Sequence, residues 1–408
     1  MTAGHPITAA ALANCLGTDS RTVFDRAFAG ADAFSPAAAY YEFPFATVLG
    51  VMPPAPPATP DDAPGAAPGA ALDCLPTRLA GVAHASLRQL RPAVAAAVER
   101  WGARRVGYAF ASSTGGLEET ERALAPHPRI AAVTPGYRYA DHGIDATRAA
   151  VMRSLGIEGV HLAISTACSS SFGALASALR LIDRGLADAV VVGSADSLCR
   201  TTVFGFHSLG LTAPTATRPF SRDRGGITLG EGSAYIVVER DTEATRRAAL
   251  ARVSGLGAAA DAHHHTSPHP DGVGGQLCMR QALDRAQLAP SEIDAVSAHG
   301  TGTRLNDAVE AAAVNRVFER RIAMTATKSL TGHTLGSAGL TALVLAIESL
   351  RRQELPPTLR LAPPDDELGV AVVDRATPCR LRHVLVNAFG FGGSNLSVVV
   401  SQPAARAP

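Results

Sequence analysis

Short apolar, β-branched runs alternate along most of the chain with longer Ala- and Leu-rich stretches, such as residues 172–184 and 337–352. The short runs are predicted to be strands and the longer stretches helices. Strands that are covered by helices on both faces are apolar throughout, so this alternation indicates an α/β fold with a mainly buried sheet. The predicted strands are 106–111, 161–166, 189–193, 234–239, 295–298 and 383–387.

Two stretches share the order strand, polar turn, helix. They read LAISTACSSSFGALASAL and MTATKSLTGHTLGSAGLTALVLAI. Two similar α/β halves that place these turns at a shared centre would build one site from both. We therefore predict an N-terminal half over 1–245 and a C-terminal half over 246–408. Segment 51–72 consists almost wholly of Pro, Ala, Gly and Asp, which predicts a surface loop.

Composition narrows the class of protein. The 408 residues are 47% apolar and 18% charged, which suffices for a substantial core. A net charge of +1 argues against binding to nucleic acid or to an anionic membrane. The sequence has no apolar stretch of membrane-spanning length and no signal peptide, so we expect a cytoplasmic protein. The six cysteines are scattered, with no pairing typical of zinc sites or disulfide frameworks.

Cys168 is the first candidate for chemistry. It stands in STACSSS, after a predicted strand and at the start of an apolar helix. Unpaired backbone N–H groups at a helix start favour a thiolate, so the position predicts a lowered thiol pKa and a competent nucleophile. Taken alone, the motif is equally compatible with a serine-rich helix cap.

Two further polar turns carry histidines. His299 ends a predicted strand in AHGTGTRLND, while Lys328 and His333 share the turn KSLTGHTLGSAG. Such turns expose an imidazole for chemistry, although either histidine alone is more typical of a hydrogen-bonded core or turn residue.

Together these three segments, in this order, resemble the β-ketoacyl-acyl carrier protein synthases, the decarboxylating branch of the thiolase-fold enzymes. Two more stretches agree: RPFSRDRGGITLGEGSAYIVVE and the glycine-rich VNAFGFGGSNLSVVV. The resemblance runs from about residue 106 to residue 400. The opening ITAAALANCLG fits less well, and Ala342 stands where many fatty-acid synthases of the family have a glutamate.

The resemblance implies a thiolase-like fold of two similar halves in a layered α-β-α-β-α arrangement. It also implies that Cys168 accepts an acyl group and that His299 and His333 stabilise an enolate, with Lys328 supporting their network. The backbone N–H groups of Cys168 and Phe391 are the expected oxyanion donors.

Substrate contacts are implied as well. Thr301 and Thr303 are expected to bind the pantetheine amides, and Phe391, beside Gly392, to gate the acyl pocket. Pocket shape is expected to depend on Phe204, Phe206 and Phe391.

The expected partner is an acyl carrier protein, whose phosphopantetheine carries the substrate, with no other cofactor. A homodimer and a heterodimer with a chain-length-factor-like subunit both fit the sequence, and the TACSSS motif favours specialised polyketide, polyene or unusual fatty-acid assembly.

Related activities fit these motifs less well. A degradative thiolase needs a second cysteine where this chain reads NAFGFGG, and chain-initiating synthases carry Asn in place of His333. The alternative function is that of a non-catalytic chain-length factor, which usually lacks the nucleophile.

Two motifs resemble ligand-binding sequences but lack the geometry or spacing that binding requires. His263, His264, His265 and His269 lie close in sequence, yet consecutive side chains on a strand point to opposite faces, so we expect no metal site there. GFGGSN lacks the G-x-G-x-x-G spacing of dinucleotide-binding turns.

Overall fold

A computed structural model describes residues 4–54, 77–124 and 137–403. Most of the predicted loop 51–72 lies outside these residues. The helices and strands up to residue 248 are β1 His5–Asn14, α1 Ser20–Phe28, β2 Ser35–Pro36, β3 Val48–Gly50, α2 Arg78–Trp101, β4 Val106–Ala111, α3 Leu117–Leu124, α4 Ile144–Leu155, β5 His161–Ile164, α5 Ser170–Asp183, β6 Ala189–Asp196, α6 Arg200–Ser208, β7 Leu229–Gly230, β8 Gly232–Glu239 and α7 Glu243–Ala248. Those after it are β9 Ala251–Ala260, α8 Val273–Ala286, β10 Ala295–Ser297, α9 Arg304–Phe318, β11 Ala323–Thr325, α10 Lys328–Thr331, α11 Ala338–Arg352, β12 Glu354–Leu355, β13 Ala371–Val372, β14 Thr377–Pro378, β15 His383–Gly390 and β16 Ser394–Ser401.

The main sheet repeats one pattern of strand pairing. Its order is β13-β11-β10-β15-β16-β9-β1-β8-β6-β4-β5. In the first half the pairs β1·β8 and β8·β6 are antiparallel, and the pairs β6·β4 and β4·β5 are parallel. In the second half the pairs β9·β16 and β16·β15 are antiparallel, and the pairs β15·β10 and β10·β11 are parallel. A short antiparallel pairing of β1 with β9 joins the two patterns.

Three apolar cores give the molecule its layers. The central core joins α5 and α11 to the inner faces of both halves. A second core packs α2 and α4 on the outer face of the first half, and a third packs α8 and α9 on the outer face of the second. The layers therefore run helix, sheet, helix, sheet, helix, which confirms the predicted arrangement.

All six predicted strands and both predicted helices exist, with ends that shift by a few residues. Strands β1 and β9 were not predicted. Strand β9 is rich in Ala and Gly because α8 lies directly against it: a Cβ on Gly257 would come within 1.9 Å of the Cys278 carbonyl oxygen. Small residues that permit close packing hide a strand from any pattern based on β-branched residues.

Strand β8 ends at Glu239 and β9 begins at Ala251, with α7 between them. The boundary between residues 245 and 246 falls inside α7 and stays a prediction. Within the described part of the chain, no helix combines the length and the apolar character that crossing a membrane requires.

Candidate active site

The nucleophile candidate sits on a tight turn between β5 and α5. Ala167 has a left-handed φ of 51°, which an alanine adopts only at an energetic cost. The hydroxyl of Ser170 stabilises this turn, since it accepts the N–H of Thr166 at 2.8 Å and donates to the Ala167 carbonyl at 2.5 Å. The turn presents the Cys168 side chain, only 7% exposed, to an internal cavity.

The two histidines reach this cavity from the other half of the molecule. His299 lies two residues after the end of β10, and His333 lies two residues after the end of α10. The backbone of His333 is held by β7, because its N–H donates to Thr228 and its carbonyl accepts the N–H of Gly230. Both side chains are buried, and their ring centroids lie 5.5 Å apart with planes almost perpendicular.

Hydrogen bonds at Nδ1 fix the protonation of both rings. The backbone N–H of Leu335 donates to Nδ1 of His333 at 3.1 Å. The ammonium of Lys328 lies 3.2 Å from Nδ1 of His299, and it has no lone pair to accept with. Both Nδ1 atoms are therefore acceptors, which places the proton of each neutral ring on Nε2. Burial, with the nearby Lys328 charge, holds the pKa of both histidines well below the usual range, so both rings are neutral near pH 7.

Two carboxylates that sequence reasoning missed hold the loop after His299. Glu310 accepts the N–H groups of His299 and Gly300 at 2.7 and 2.8 Å. Asp307 accepts those of Thr301 and Gly302 at 3.1 and 3.2 Å. The sequence did carry a signal for these two acids. They lie three residues apart on the buried side of α9, where a carboxylate without a hydrogen-bond partner is costly.

The predicted lowering of the thiol pKa of Cys168 is wrong. Burial raises it to about 11, because removal from water outweighs the attraction of Lys328 and the N–H groups of Phe391 and of Cys168 itself. Burial also lowers the pKa of Lys328 to about 8, against the opposing effect of Glu310. No acidic side chain in the described ranges forms an ion pair with Lys328. The resting thiol is thus protonated at neutral pH.

The cavity brings together eight of the nine predicted site residues. Its volume is about 170 Å³. Lys328 is the exception and contacts His299 from outside the cavity lining. The predicted residues on the wall are Cys168, Phe206, His299, Thr301, Thr303, His333, Phe391 and Gly392.

The two threonines have structural contacts as well as a place on the cavity wall. Thr303 is the N-cap of α9, where its hydroxyl accepts the N–H of Asn306, and the hydroxyls of Thr301 and Thr303 lie 3.0 Å apart. The sequence left turn capping open as the alternative to substrate binding, and for Thr303 capping is observed.

The aromatic positions divide between two sides of α6. The ring of Phe206 stacks on that of Phe391, with centroids 5.5 Å apart, and both line the cavity. Phe204 was expected to shape the same pocket, but it packs against Phe43 and Phe45 instead. Residues two apart on a helix point in nearly opposite directions, so α6 presents only one of the pair to Cys168.

The histidine-rich stretch lies at the cavity mouth. His265 lines the cavity, and its carbonyl accepts the N–H of Gly392 at 2.7 Å. The stretch has no strand geometry. In the parts of the chain that the structure covers, no group of three or more His, Cys, Asp or Glu side chains could hold a metal ion.

Known proteins share both the sequence and this arrangement. The N-terminal domain model of the beta-ketoacyl synthases matches residues 82–244, and their C-terminal domain model matches residues 250–362. The chain belongs to the β-ketoacyl synthase family. One relative of this β-ketoacyl synthase is the 3-oxoacyl-[acyl-carrier-protein] synthase 2 of Vibrio cholerae serotype O1, 34% identical over 74% of this chain and 77% of that protein. A putative polyketide beta-ketoacyl synthase 1 of Streptomyces cyaneus is 35% identical over 63% of this chain and 64% of its own length.

Solved structures agree with the family. A ketosynthase in complex with its chain length factor, from Xenorhabdus doucetiae, superimposes with a TM-score of 0.86 at 32% identity and covers 98% of both chains. A beta-ketoacyl synthase from Burkholderia phymatum STM815 gives 0.84 at 28% identity, over 98% of this chain and 99% of that one. The thiolase-like fold expected from the sequence is therefore confirmed for this synthase.

Proposed function

We propose that the protein is an acyltransferase that condenses an acyl group with a malonyl unit, both delivered as acyl carrier protein thioesters. The observation that carries this proposal is the convergence of Cys168, His299 and His333 on one cavity, with two Nε2–H donors beside one thiol. The first step is acyl transfer. The Cys168 sulfur attacks the thioester carbonyl, the carbon–sulfur bond to the carrier breaks, and the carrier leaves as a thiol with the proton that Cys168 loses.

Acyl transfer passes through a tetrahedral oxyanion. The backbone N–H groups of Phe391 and Cys168 both approach the Cys168 sulfur, so they are the donors that we assign to this oxyanion. Gly392, at a φ of 82°, and its neighbour Gly393 let the chain turn sharply enough to bring the Phe391 N–H there.

Condensation follows decarboxylation. The bond between the malonyl carboxylate and the α-carbon breaks, carbon dioxide leaves, and the electron pair forms an enolate on the thioester. The Nε2–H groups of His299 and His333 donate to the enolate oxygen, because their Nδ1 atoms are already occupied. The enolate carbon then attacks the acyl-Cys168 carbonyl, the thiolate leaves, and the carrier holds a β-ketoacyl group.

The remaining wall residues fit substrate binding. We assign the hydroxyls of Thr301 and Thr303 to the pantetheine amides and the Phe206–Phe391 pair to the acyl side. Leu209 and Leu305 are about half exposed at the cavity mouth, which suits the approach of a carrier with a long arm. No cofactor beyond the carrier's own phosphopantetheine enters these steps.

A second subunit is part of the proposal. Strand β5 is one edge of the main sheet, and its side chains are exposed or half-buried. An edge with apolar residues such as Leu162 and Ile164 is a template for strand pairing. The Xenorhabdus ketosynthase was solved with a chain length factor, which supports a partner of that kind, while a second copy of this chain would use the same edge. Specialised polyketide or fatty-acid assembly and a cytoplasmic location stay predictions.

The test is acylation of the purified chain by a panel of acyl-carrier thioesters, measured by intact-protein mass spectrometry. We expect one acyl adduct, absent from Cys168→Ala and present in Cys278→Ala, a matched variant of a buried cysteine on α8. If no acyl group forms an adduct even when a chain-length-factor-like partner is supplied, the catalytic proposal is wrong and the chain-length-factor alternative replaces it.

A further inference from the structure

Phe391 sits at the tip of a tight hairpin. Strands β15 and β16 pair as far as Gly390 and Ser394, so three residues, Phe391 to Gly393, form the turn. Gly392 and Gly393 both have left-handed φ angles, of 82° and 76°. The position of the Phe391 N–H therefore depends on where the two feet of the hairpin, Gly390 and Ser394, are held.

Both feet contact Ser169, the residue that follows Cys168. The Oγ of Ser169 lies 3.0 Å from the Oγ of Ser394. A Cβ on Gly390 would come within 3.0 Å of the same Ser169 oxygen and within 3.1 Å of the Thr166 carbonyl oxygen. The hairpin foot is thus pressed against the nucleophile turn, and the Ser169 side chain, fully buried, stands between the two.

The Ser169 hydroxyl has one proton and three acceptors within 3.2 Å: the carbonyl and Oγ1 of Thr166 and the Oγ of Ser394. It belongs to both structures at once, because Thr166 starts the nucleophile turn and Ser394 ends the hairpin. A hydroxyl in this place contacts both the turn that carries Cys168 and the hairpin that carries the Phe391 N–H.

The hairpin tip is held differently. The N–H of Gly392 donates to the His265 carbonyl, and the N–H of Asp261 donates to the Gly393 carbonyl at 2.9 Å. These bonds connect the tip to the cavity-mouth segment, and the Ser169–Ser394 bond connects the feet to the nucleophile. The feet are therefore the part of the hairpin that contacts the nucleophile turn directly.

We propose that Ser169 is a positioning residue, whose hydroxyl, through Ser394, holds the Phe391 N–H at the distance from Cys168 that the acyl-transfer oxyanion requires. The proposal rests on the proposed function, since it needs an acyl-Cys168. The proposal predicts that two reactions of Cys168, acylation and alkylation, respond differently to the loss of this hydroxyl, whereas a general loss of structure would slow both. Acylation by a thioester uses the Phe391 N–H, whereas alkylation by iodoacetamide forms no oxyanion.

The expected effect follows from oxyanion-hole energetics. Complete loss of one oxyanion donor lowers kcat by about 100- to 1000-fold in other enzymes, so a displaced donor should cost roughly tenfold. In Ser169→Ala we expect the single-turnover rate constant for Cys168 acylation to fall about tenfold. The carrier concentration at half-maximal rate should stay within about twofold of wild type. The iodoacetamide rate should fall by clearly less than the acylation rate, because the Phe391 N–H stabilises the thiolate in both reactions but only acylation forms an oxyanion.

Four further variants make the experiment specific. Ser394→Ala should slow acylation as Ser169→Ala does, and the double variant should be no slower than either alone, because both remove one bond. Ser394→Thr keeps the hydroxyl and should acylate at close to the wild-type rate. Ser171→Ala is the matched control: it removes a buried hydroxyl two residues further on, in the first turn of α5, one that accepts the Leu340 N–H instead.

The outcomes are distinct. Wild-type acylation rates in Ser169→Ala, an equal loss in Ser171→Ala, or a parallel loss of iodoacetamide reactivity would each overturn the positioning role. If the wild-type chain is not acylated even when a chain-length-factor-like partner is supplied, the proposed function fails, and this inference fails with it.

Discussion

At the scale of single residues, burial decides the charge state of the site more than any neighbouring group does. Sequence reasoning found Cys168, His299, Lys328 and His333 from their motifs, and the structure places them together. It gave the wrong direction for the thiol pKa, because a helix start is visible in a sequence and the loss of water around a sulfur is not. The resting site holds a thiol, two neutral imidazoles and one ammonium.

The ammonium gives the first prediction. The pKa of Lys328 is about 8, lowered from 10.5 by burial, so its positive charge is present below pH 8 and lost above it. That charge lies beside His299 and favours a developing enolate. The rate of malonyl-carrier decarboxylation should therefore fall as pH rises through about 8. In Lys328→Ala the residual rate should lack this alkaline decline; a decline that persists there belongs to another group.

The histidines give the second prediction. Because His299 and His333 donate to the enolate, His299→Ala and His333→Ala should each lower the decarboxylation rate about 100- to 1000-fold. Acylation of Cys168 should remain within about tenfold, since the backbone N–H groups serve that step. Parallel assays of carbon dioxide release and acyl-adduct formation measure the two. His383→Ala, on β15 and bonded to Ser401, is the matched control. Equal loss of both steps would assign the histidines to acyl transfer as well.

At the scale of elements, the sequence predicted the strands that carry β-branched residues and missed those built from small ones. Strand β1 reads HPITAAALAN and β9 reads ARVSGLGAAA. Alanine and glycine favour other structures in isolation, and only the neighbouring strands and helices make these segments extended.

The close packing of β9 on α8 is testable with a matched pair of glycines. Gly257→Ala should lower the free energy of unfolding by about 1–3 kcal/mol, because its Cβ would overlap the Cys278 carbonyl. Gly205→Ala, in the exposed face of α6 with no atom within 4 Å of the added Cβ, should raise it by about 0.5–1 kcal/mol. Urea unfolding followed by circular dichroism measures both. A stable Gly257→Ala protein would mean that α8 lies farther from the sheet.

At the scale of the whole molecule, one repeated pattern of strand pairing places the ends of parallel strands from both halves around one cavity. The two strand-turn-helix stretches recognised in the sequence occupy equivalent places in the two patterns, β5–α5 and β11–α11. Sequence therefore predicted the architecture and most of the residues that meet at the cavity. Which side chains reach the cavity could not be predicted in the same way. Phe206 lines it and Phe204 does not, because the orientation of α6 decides which of the two faces the cavity.

Strand β5 makes the prediction at this scale. The carbonyl of Val160 accepts the N–H of Tyr108 in β4, and that of Ile164 accepts the N–H of Ser112 just after β4, so the intervening N–H and carbonyl of Ala163 face the open edge. Ala163→Pro removes that outward donor without removing a bond to β4. We expect the wild-type chain to associate, with itself or with a chain-length-factor-like partner, and Ala163→Pro to remain monomeric in sedimentation velocity. Unchanged association of this variant would place the interface elsewhere.

The central claim is that one cavity joins two thioesters with loss of carbon dioxide, and the most direct measurement follows both products at once. The chain, with its partner subunit if one is needed, is supplied with an acyl-carrier thioester and with malonyl carrier labelled with ¹³C at the free carboxylate. We predict labelled carbon dioxide and unlabelled β-ketoacyl carrier in equal amounts, and no β-ketoacyl carrier from Cys168→Ala. A β-ketoacyl product that forms without Cys168, or that retains the label, would contradict the account.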